Sequence, residues 1–244
     1  MVPGDRSGYA AAVLVAAGKG ERFGHAGKVL AESCGRPLVA WSLDALEASD
    51  SVRDVVIVYG VHTETGLRAL VANGPWTKVT ALVAGGANRQ ESVSCGVAVA
   101  ADDLEIVLIH DAARPMVEAA QFDACAERAR TDGAAILAIP VADTLKRVAA
   151  GIITETVSRD GMWAAQTPQA FRLAVYRDAV AAISGREHEF TDDASIFEAS
   201  GRTVAIVPGS RANIKVTQPE DLALVELLLR ARIAASDTSN TELA

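Results

Sequence analysis

Short apolar runs recur along this chain and alternate with segments that have helical spacing. The runs cover residues 10–17, 55–59, 79–83, 106–109 and 134–139. Such largely aliphatic runs are typical of strands buried on both faces of a parallel sheet. Between them, Leu38, Trp41, Ala45 and Leu46 follow Pro37 with the spacing of one helix face, and a similar pattern covers residues 117–129. This alternation predicts an α/β fold with a mostly parallel sheet covered by helices.

The alternation is interrupted after Pro140. Residues 144–148 and 152–157 are rich in strand-forming residues and flank Ala149-Ala150-Gly151, a pattern that predicts an inserted β-hairpin. A two-stranded ribbon is marginal in water by itself, so its apolar side chains need a surface to pack against. We therefore expect residues 142–160 to form a protruding arm that packs on a second copy of the chain, giving a homodimer.

The last third of the chain returns to the α/β pattern. It predicts a helix over residues 172–183, a strand over 203–207 and a closing helix. Thr217 and Glu220 have the spacing of a capping box for that helix, with Pro219 in its first turn. We expect residues 1–235 to form a single domain that includes the arm, and the polar residues 236–244 to be a disordered tail.

Composition and charge exclude several classes of protein. The longest stretch without Asp, Glu, Lys or Arg is twelve residues, from Ser7 to Gly18, against about 20 apolar residues needed to cross a bilayer. No membrane span is therefore expected. The net charge of −8 argues against a nucleic-acid surface. Three widely spaced cysteines fit no disulfide or metal motif and predict a cytoplasmic protein.

A glycine-rich segment, AAGKGERFG at residues 16–24, directly follows the first predicted strand. Ligands bind at the carboxyl ends of parallel strands, where small residues let backbone N–H groups approach phosphate oxygens. The third glycine is one residue too late for the dinucleotide motif, and Lys28 is followed by Val29, which excludes the Walker motif. A tight turn without a ligand would explain the glycines, but it leaves Arg22 and Lys28 without a role.

A second motif, HDAARP at residues 110–115, follows another apolar run. It places Asp111 at the same edge of the predicted sheet. Mg²⁺ favours one or two carboxylates together with substrate phosphates, so Asp111 is a candidate ligand. The alternative is that Asp111 caps a turn and pairs with Arg114. His110 is better interpreted as a packed or hydrogen-bonding residue than as a proton carrier.

Seven motifs occur in a fixed order along the chain. They are AAGKGERF (16–23), GGANRQES (85–92), HDAARP (110–115), PVADTLKR (140–147), TVSRDGMWAAQTPQAF (156–171), TDDAS (191–195) and NIKVTQPEDL (213–222). Together they resemble the 2-C-methyl-D-erythritol 4-phosphate cytidylyltransferase family of the non-mevalonate isoprenoid pathway. The resemblance extends from about residue 10 to residue 222 and is far more specific than any single motif.

The resemblance implies a Rossmann-like nucleotidyltransferase fold and transfer of CMP from CTP to the substrate phosphate, with release of pyrophosphate. Such transfers depend on positioning and charge neutralisation more than on covalent chemistry. The implied nucleotide contacts are Ala16, Ala17, Gly18, Gly86, Ser92 and Ala112. The implied catalytic residues are Arg22, Lys28, Arg159 and Lys215, the substrate contacts are Arg114, Thr144, Thr167 and Thr191, and the Mg²⁺ ligand is Asp111. In the implied dimer, Thr144 and Arg159 reach the partner subunit's active site.

The chain also departs from the family pattern. It has Gly27-Lys28-Val29 where the family usually has Pro-Lys-Gln, and Ala87 where an acidic residue is common. Thr191 also has a structural interpretation, because a threonine before Asp192 and Asp193 is a good helix N-cap.

Three alternatives to this function agree less well with the motifs. A ribitol 5-phosphate cytidylyltransferase would share the fold, but AAG and HDAARP favour the methylerythritol enzyme over the AGG and HDSVRP typical of that family. A nucleotidyltransferase for sugar phosphates or a molybdopterin would share the first loop without QTPQ or NIKVT. A catalytically silent nucleotide-binding module is expected to have lost charged residues, which this chain retains.

Overall fold

The first apolar run lies in the middle of the sheet. This computed structural model describes residues 8–18, 20, 23, 27–183 and 190–241, with the backbone alone for 236–241. Strand β1 (Ala10–Ala16) is almost fully buried. The later strands are β2 (Glu32–Ser33), β3 (Arg36–Pro37), β4 (Val52–Tyr59), β5 (Val79–Ala84), β6 (Ile106–Asp111), β7 (Ala134–Pro140), β8 (Leu145–Ala149), β9 (Ile152–Val157), β10 (Trp163–Arg172) and β11 (Ala205–Pro208).

Seven strands form the main sheet, in the order β11-β7-β10-β6-β1-β4-β5. All neighbours are parallel except β10, which runs antiparallel to both β6 and β7. The predicted mostly parallel sheet is thus confirmed. The sequence pattern did not reveal β10, because its segment WAAQTPQAFR contains Pro168 and several polar residues instead of an apolar run.

Helices cover both faces of the sheet. They are α1 (Leu38–Ala48), α2 (Glu64–Asn73), α3 (Arg89–Ala98), α4 (Ala119–Asp132), α5 (Leu173–Ala182), α6 (Asp193–Ala199) and α7 (Pro219–Thr241). One core packs α1 and α4 on the sheet through residues such as Leu43 and Phe122. The core of the opposite face includes Val93 of α3 with Tyr176 and Phe197 of α5 and α6. Within the described ranges, no helix has the length and apolar character to cross a membrane.

Helix α3 approaches the sheet at Gly96. A Cβ atom there would lie 2.8 Å from Val58 Cγ2 and still closer to Val13 Cγ1, both in fully buried side chains. We expect Gly96→Ala to lower the free energy of unfolding by about 1–2 kcal/mol, because overpacking outweighs alanine's higher helix propensity. Urea unfolding tests this. Val13→Ala in the same chain should relieve the overlap and make the two changes less than additive. A more stable Gly96→Ala variant contradicts the packing argument.

The interrupting segment forms the predicted hairpin. Strands β8 and β9 pair with each other in a separate two-stranded sheet, with Leu145 opposite Val157 and Val148 opposite Ile153. The turn places Ala150 and Gly151 at positive φ. Val148, Ile152 and Ile153 are 55–70% exposed in the isolated chain. The arm therefore presents an apolar surface that the described residues of its own chain leave largely exposed.

The C-terminal helix differs from expectation in two details. Its first turn is capped by Asp221, not Glu220, because the Asp221 carboxylate accepts hydrogen bonds from the backbone N–H groups of Thr217 and Gln218 at 2.7 and 2.8 Å. The helix also continues to Thr241, beyond residue 236 where we expected a disordered tail. Neither Gly nor Pro follows Pro219 to end it earlier. Residues 242–244 lie outside the described part of the chain.

Candidate active site

A cavity of about 510 Å³ opens at the carboxyl ends of β1 and β6. The glycine segment, the start of α3 and the NIKVT segment surround it. Its lining residues are Val15, Ala17, Gly18, Gly20, Lys28, Val29, Gly86, Ala87, Asn88, Arg89, Ser92, Asp111, Ala113, Lys215 and Thr217. The structure thus brings together Ala17, Gly18, Lys28, Gly86, Ser92, Asp111 and Lys215 from the predicted site residues. Arg22 lies outside the described residues.

The amino-terminal end of α3 forms one wall of the cavity. Asn88 caps the helix by accepting a hydrogen bond from the Glu91 backbone N–H at 2.9 Å. The Ser92 hydroxyl donates to the Asn88 carbonyl at 2.8 Å and accepts from the Gly86 N–H at 3.2 Å. These bonds fix the glycine pair against the first helical turn. The positive end of the helix dipole favours an anionic ligand there.

Gly27, directly before Lys28, has an unusual backbone conformation. Gly27 adopts φ +89° and precedes the 3-10 turn Lys28–Leu30. Proline cannot adopt a positive φ. The departure from Pro-Lys-Gln noted in the sequence therefore coincides with a conformation that the usual residue does not allow, while Lys28 still reaches the cavity wall.

Asp111 is the one acidic residue among the described residues that line the cavity, and each of its carboxylate oxygens contacts a cation. Its Oδ1 lies 3.2 Å from Arg89 Nε and its Oδ2 lies 2.6 Å from Lys215 Nζ. Burial by itself raises the pKa of Asp111, but the charges of Arg89 and Lys215 outweigh it and hold the pKa well below its usual range. The carboxylate is therefore ionised at neutral pH.

Arg89 connects this carboxylate to a second, fully buried acid. Arg89 Nη1 lies 2.7 Å from Asp193 Oδ2, and the Tyr176 hydroxyl donates to Asp193 Oδ1 at 2.7 Å. The chain of contacts ties α3, α5 and α6 to the end of β6. Arg89 was not among the residues predicted for the site. The signal that the sequence offers is the position of Arg89 within GGANRQES, three residues after the glycine pair.

Removing the Tyr176 hydroxyl should lower stability. A hydrogen bond to a buried charged group contributes about 1.5–3 kcal/mol, so we expect Tyr176→Phe to lose that much free energy of unfolding. Tyr59→Phe is the matched control, because the Tyr59 hydroxyl accepts from Arg68 at the surface and its loss should cost less than about 1 kcal/mol. Chemical denaturation of both variants measures the difference. Equal losses in the two variants contradict the role assigned to the buried bond.

His110, Thr167 and Arg114 form a buried group behind Asp111. His110 Nδ1 lies 3.0 Å from Thr167 Oγ1, and its Nε2 lies 3.3 Å from the Arg114 carbonyl. Thr167 Oγ1 also accepts the Asp111 N–H at 3.1 Å. Burial lowers the pKa of His110 to about 3. The interpretation of His110 as a hydrogen-bonding residue is confirmed.

Arg114 does not make the direct pair with Asp111 weighed as an alternative. Its Nη1 donates to the Asn213 carbonyl at 2.8 Å, while the Asp111 carboxylate is paired with Arg89 and Lys215. A backbone turn connects the two residues, since the Arg114 N–H donates to the Asp111 carbonyl at 2.9 Å. Burial lowers the pKa of Arg114. The guanidinium is thus held behind the cavity by the NIKVT segment.

The other predicted residues that the structure describes are not part of the cavity lining. Ala16 and Ala112 are fully buried in the core, so their backbone atoms alone are candidates for ligand contact. Thr144 and Arg159 are exposed on the arm. Thr191 is exposed and is not the cap of α6, because the Asp192 side chain accepts from the Ser195 N–H at 3.0 Å and takes that role.

The donor groups suit a metal ion that arrives with a phosphate ligand. No three His, Cys, Asp or Glu side chains in the described ranges are grouped to bind a metal by themselves. One carboxylate plus phosphate oxygens is a usual ligand set for Mg²⁺, and Asp111 at the cavity edge supplies that carboxylate. The residues therefore fit an ion held mainly by the phosphates of a bound nucleotide.

Comparisons with known proteins agree on one family. The family model described as 2-C-methyl-D-erythritol 4-phosphate cytidylyltransferase matches residues 10–231. Proteins of that name from Pelotomaculum thermopropionicum and Bacillus licheniformis are 41% and 39% identical to this chain over 225 and 221 residues. These alignments cover 91% and 90% of this chain and 94% and 95% of the relatives.

Solved structures give the same result. The crystal structure of 2-C-methyl-D-erythritol 4-phosphate cytidylyltransferase from Thermus thermophilus has a TM-score of 0.73 and 32% identity, covering 89% of this chain and 98% of that one. The 4-diphosphocytidyl-2C-methyl-D-erythritol synthase from Anaerococcus prevotii has a TM-score of 0.80 and 26% identity, covering 91% and 99%. Fold and sequence therefore point to the same group of enzymes.

Proposed function

The chain belongs to the 2-C-methyl-D-erythritol 4-phosphate cytidylyltransferase family, and we propose that the cavity at β1 and β6 is where it transfers CMP from CTP to that polyol phosphate. The products are 4-diphosphocytidyl-2-C-methyl-D-erythritol and pyrophosphate. The observation that supports this assignment best is the arrangement of Lys28, Arg89 and Lys215 around the cavity that holds Asp111. Three cations beside a glycine-rich loop suit two phosphorylated substrates.

The reaction needs positioning and charge neutralisation. A phosphate oxygen of the acceptor attacks the α-phosphorus of CTP, a new P–O bond forms, and the bond to the departing pyrophosphate breaks. Negative charge increases on the pyrophosphate, and fixed cations stabilise such charge without reorganising at the moment of reaction. Lys28 and Arg22 are assigned to the triphosphate. Lys215, anchored by Asp111, is assigned to the acceptor phosphate and the α-phosphate.

The nucleoside is assigned to the wall formed by the glycine segment and α3. Small residues there, Ala17, Gly18 and Gly86, let a ligand approach the backbone closely, and the Gly86 N–H itself is already bonded to Ser92. Ser92 braces Gly86 through its hydroxyl. Ala16 and Ala112 complete the predicted nucleotide contacts through backbone atoms alone. Arg114, Thr167 and Thr191 are assigned, together with the partner's arm, to the acceptor side.

We assign Mg²⁺ to this site, with Asp111 as its protein ligand and CTP phosphates as the others. When bound, the ion neutralises phosphate charge and orients the triphosphate. EDTA should abolish CMP transfer in the wild-type enzyme, and excess Mg²⁺ should restore it. Pyrophosphate release measured before and after chelation tests this. Activity that persists after removal of divalent ions removes the metal role of Asp111.

We further propose that two copies of the chain form a homodimer through the arm. Each subunit is assigned a single domain that includes the arm. The support is the apolar surface of Val148, Ile152, Ile153 and Trp163, each at least 43% exposed in the isolated chain. Thr144 and Arg159 lie on the same arm and are not among the residues that line the cavity of their own chain. A two-fold arrangement of two arms would bury the apolar residues and bring these polar ones to the partner's site. A cytoplasmic location is assigned from the free thiols of Cys34, Cys95 and Cys125.

An acceptor comparison tests the substrate assignment. With CTP and Mg²⁺, we expect pyrophosphate release to be fastest with 2-C-methyl-D-erythritol 4-phosphate and slower with ribitol 5-phosphate or erythritol 4-phosphate. A reaction without acceptor is the control and should release little pyrophosphate. Faster release with ribitol 5-phosphate assigns the enzyme to the other polyol phosphate instead.

A further inference from the structure

The hydrogen bonds around His110 have directions that chemistry fixes. The Arg114 carbonyl can only accept, so the His110 nitrogen facing it at 3.3 Å, Nε2, must carry a proton. The ring is fully buried, and neither of its two hydrogen-bond partners is a carboxylate that would stabilise a charged ring. A neutral imidazole carries one N–H, so Nδ1 is unprotonated and accepts. The group at 3.0 Å from Nδ1 is the Thr167 hydroxyl, which must therefore donate to it.

The hydrogen bond between Asp111 and Thr167 also has a fixed direction. The Asp111 backbone N–H can only donate, and it donates to Thr167 Oγ1 at 3.1 Å. The bonds therefore form one directed chain, from the Asp111 N–H to the Thr167 hydroxyl, from that hydroxyl to His110 Nδ1, and from His110 Nε2–H to the Arg114 carbonyl. Thr167 has no proton left for a ligand. It can accept a hydrogen bond from a substrate hydroxyl but cannot donate one to a phosphate.

We propose that His110 is a positioning residue, which holds Asp111 and Arg114 in place through this directed chain of hydrogen bonds. His110 precedes the turn from Asp111 to Arg114, and its ring closes that turn by binding the carbonyl at its far end. Through Thr167 it also attaches the start of the turn to β10. Asp111, which pairs with Lys215, and Arg114, which donates to the Asn213 carbonyl, are thus both held at fixed backbone positions.

This inference rests on the proposed function, but the hydrogen bonds themselves can be tested by NMR without substrate. In the ¹⁵N NMR spectrum of the ligand-free protein at neutral pH, the His110 ring should show protonated Nε2 and unprotonated Nδ1. The His110→Phe spectrum identifies which of the four histidine signals is concerned. A protonated Nδ1, in either a neutral or a charged ring, overturns the proposal.

Kinetics separate positioning from a structural role. His110→Phe keeps an aromatic ring beside Phe122, whose centroid is 5.1 Å away, but removes both hydrogen bonds. We expect kcat to fall about 10- to 100-fold with little change in KM for CTP, because a displacement of about 1 Å can cost that much. His110→Asn, which offers Thr167 an acceptor, should recover part of the loss. Phe122→Leu is the control and should lower stability while kcat stays within about threefold of wild type.

Two further outcomes decide the matter. If His110→Phe and Thr167→Val act on one chain of hydrogen bonds, the double variant should lose no more kcat than the worse single variant. Unchanged kcat in folded His110→Phe, or a loss of kcat in Phe122→Leu as large as in His110→Phe, overturns the proposal in favour of packing. A wild-type enzyme that forms no product refutes the proposed function, whereas the NMR result judges the hydrogen bonds independently.

Discussion

Mixing two nearly inactive variants, Arg159→Ala and Lys215→Ala, is expected to restore up to about a quarter of wild-type activity. Lys215 lines the cavity and contacts Asp111, whereas Arg159 lies on the exposed arm, where it donates to the Ala142 carbonyl. In a two-fold dimer whose arms exchange, each active site combines Lys215 of one subunit with Arg159 of its partner. A mixed dimer then has one doubly defective site and one intact site.

Random exchange makes about half of the dimers mixed, and one site of each is intact, which gives the expected quarter. Arg147→Ala is the matched control. Arg147 is a second exposed arginine of the arm, paired with Glu155, and its variant should stay active by itself. Native mass spectrometry establishes subunit exchange. A mixture no more active than its components, after exchange is complete, shows that Arg159 acts within its own subunit.

Lys28→Ala and Asp111→Asn are each expected to lower kcat by about 10²–10³-fold. Losses of that size follow removal of one preorganised electrostatic contact. Lys28→Ala removes a cation from the cavity wall, and Asp111→Asn removes the charge that fixes Arg89 and Lys215 at 3.2 and 2.6 Å. Arg22→Ala belongs to the same test, because the sequence assigns it to the triphosphate. Steady-state kinetics with CTP and the polyol phosphate measure all three.

The control for these variants is a surface cation outside the site. Arg128→Ala removes an exposed charge on α4 that pairs with Asp132 one turn away, and kcat should be unchanged. Thermal unfolding of each variant shows whether a loss of rate reflects a loss of fold. Near-normal turnover in Lys28→Ala shows that Lys28, which follows the altered residue Gly27, is not needed for catalysis.

The strands of the parallel sheet could be predicted because they are buried on both faces. In β1 and β6 almost every side chain is apolar and inaccessible, so the sequence shows an uninterrupted run. Strand β10 could not be predicted this way. It buries Gln166 and Gln169, whose amide groups are satisfied by the Ser210 carbonyl and by Asp192, far away in sequence. Only the folded chain shows that these polar residues are paired.

The candidate site was likewise predictable only in part. The glycine segment and HDAARP follow apolar strands, so the meeting of Lys28 and Asp111 at one sheet edge follows from topology alone. Arg89 lies at the start of a helix, and the sequence does not reveal its two carboxylate partners, Asp111 and Asp193, which come from separate parts of the chain. The sequence also suggested Thr191 as the N-cap of α6, whereas the structure has the next residue, Asp192, in that position.

As a member of its family, this chain joins CMP to 2-C-methyl-D-erythritol 4-phosphate. The most direct measurement is ³¹P NMR of a reaction that contains the purified protein, CTP, Mg²⁺ and the polyol phosphate. We expect the CTP signals to disappear while pyrophosphate and the two coupled phosphorus signals of a diphosphate diester appear in equal amounts. No reaction is expected when the acceptor is omitted. Unchanged CTP, or pyrophosphate formed at the same rate without acceptor, shows that the chain does not catalyse this transfer.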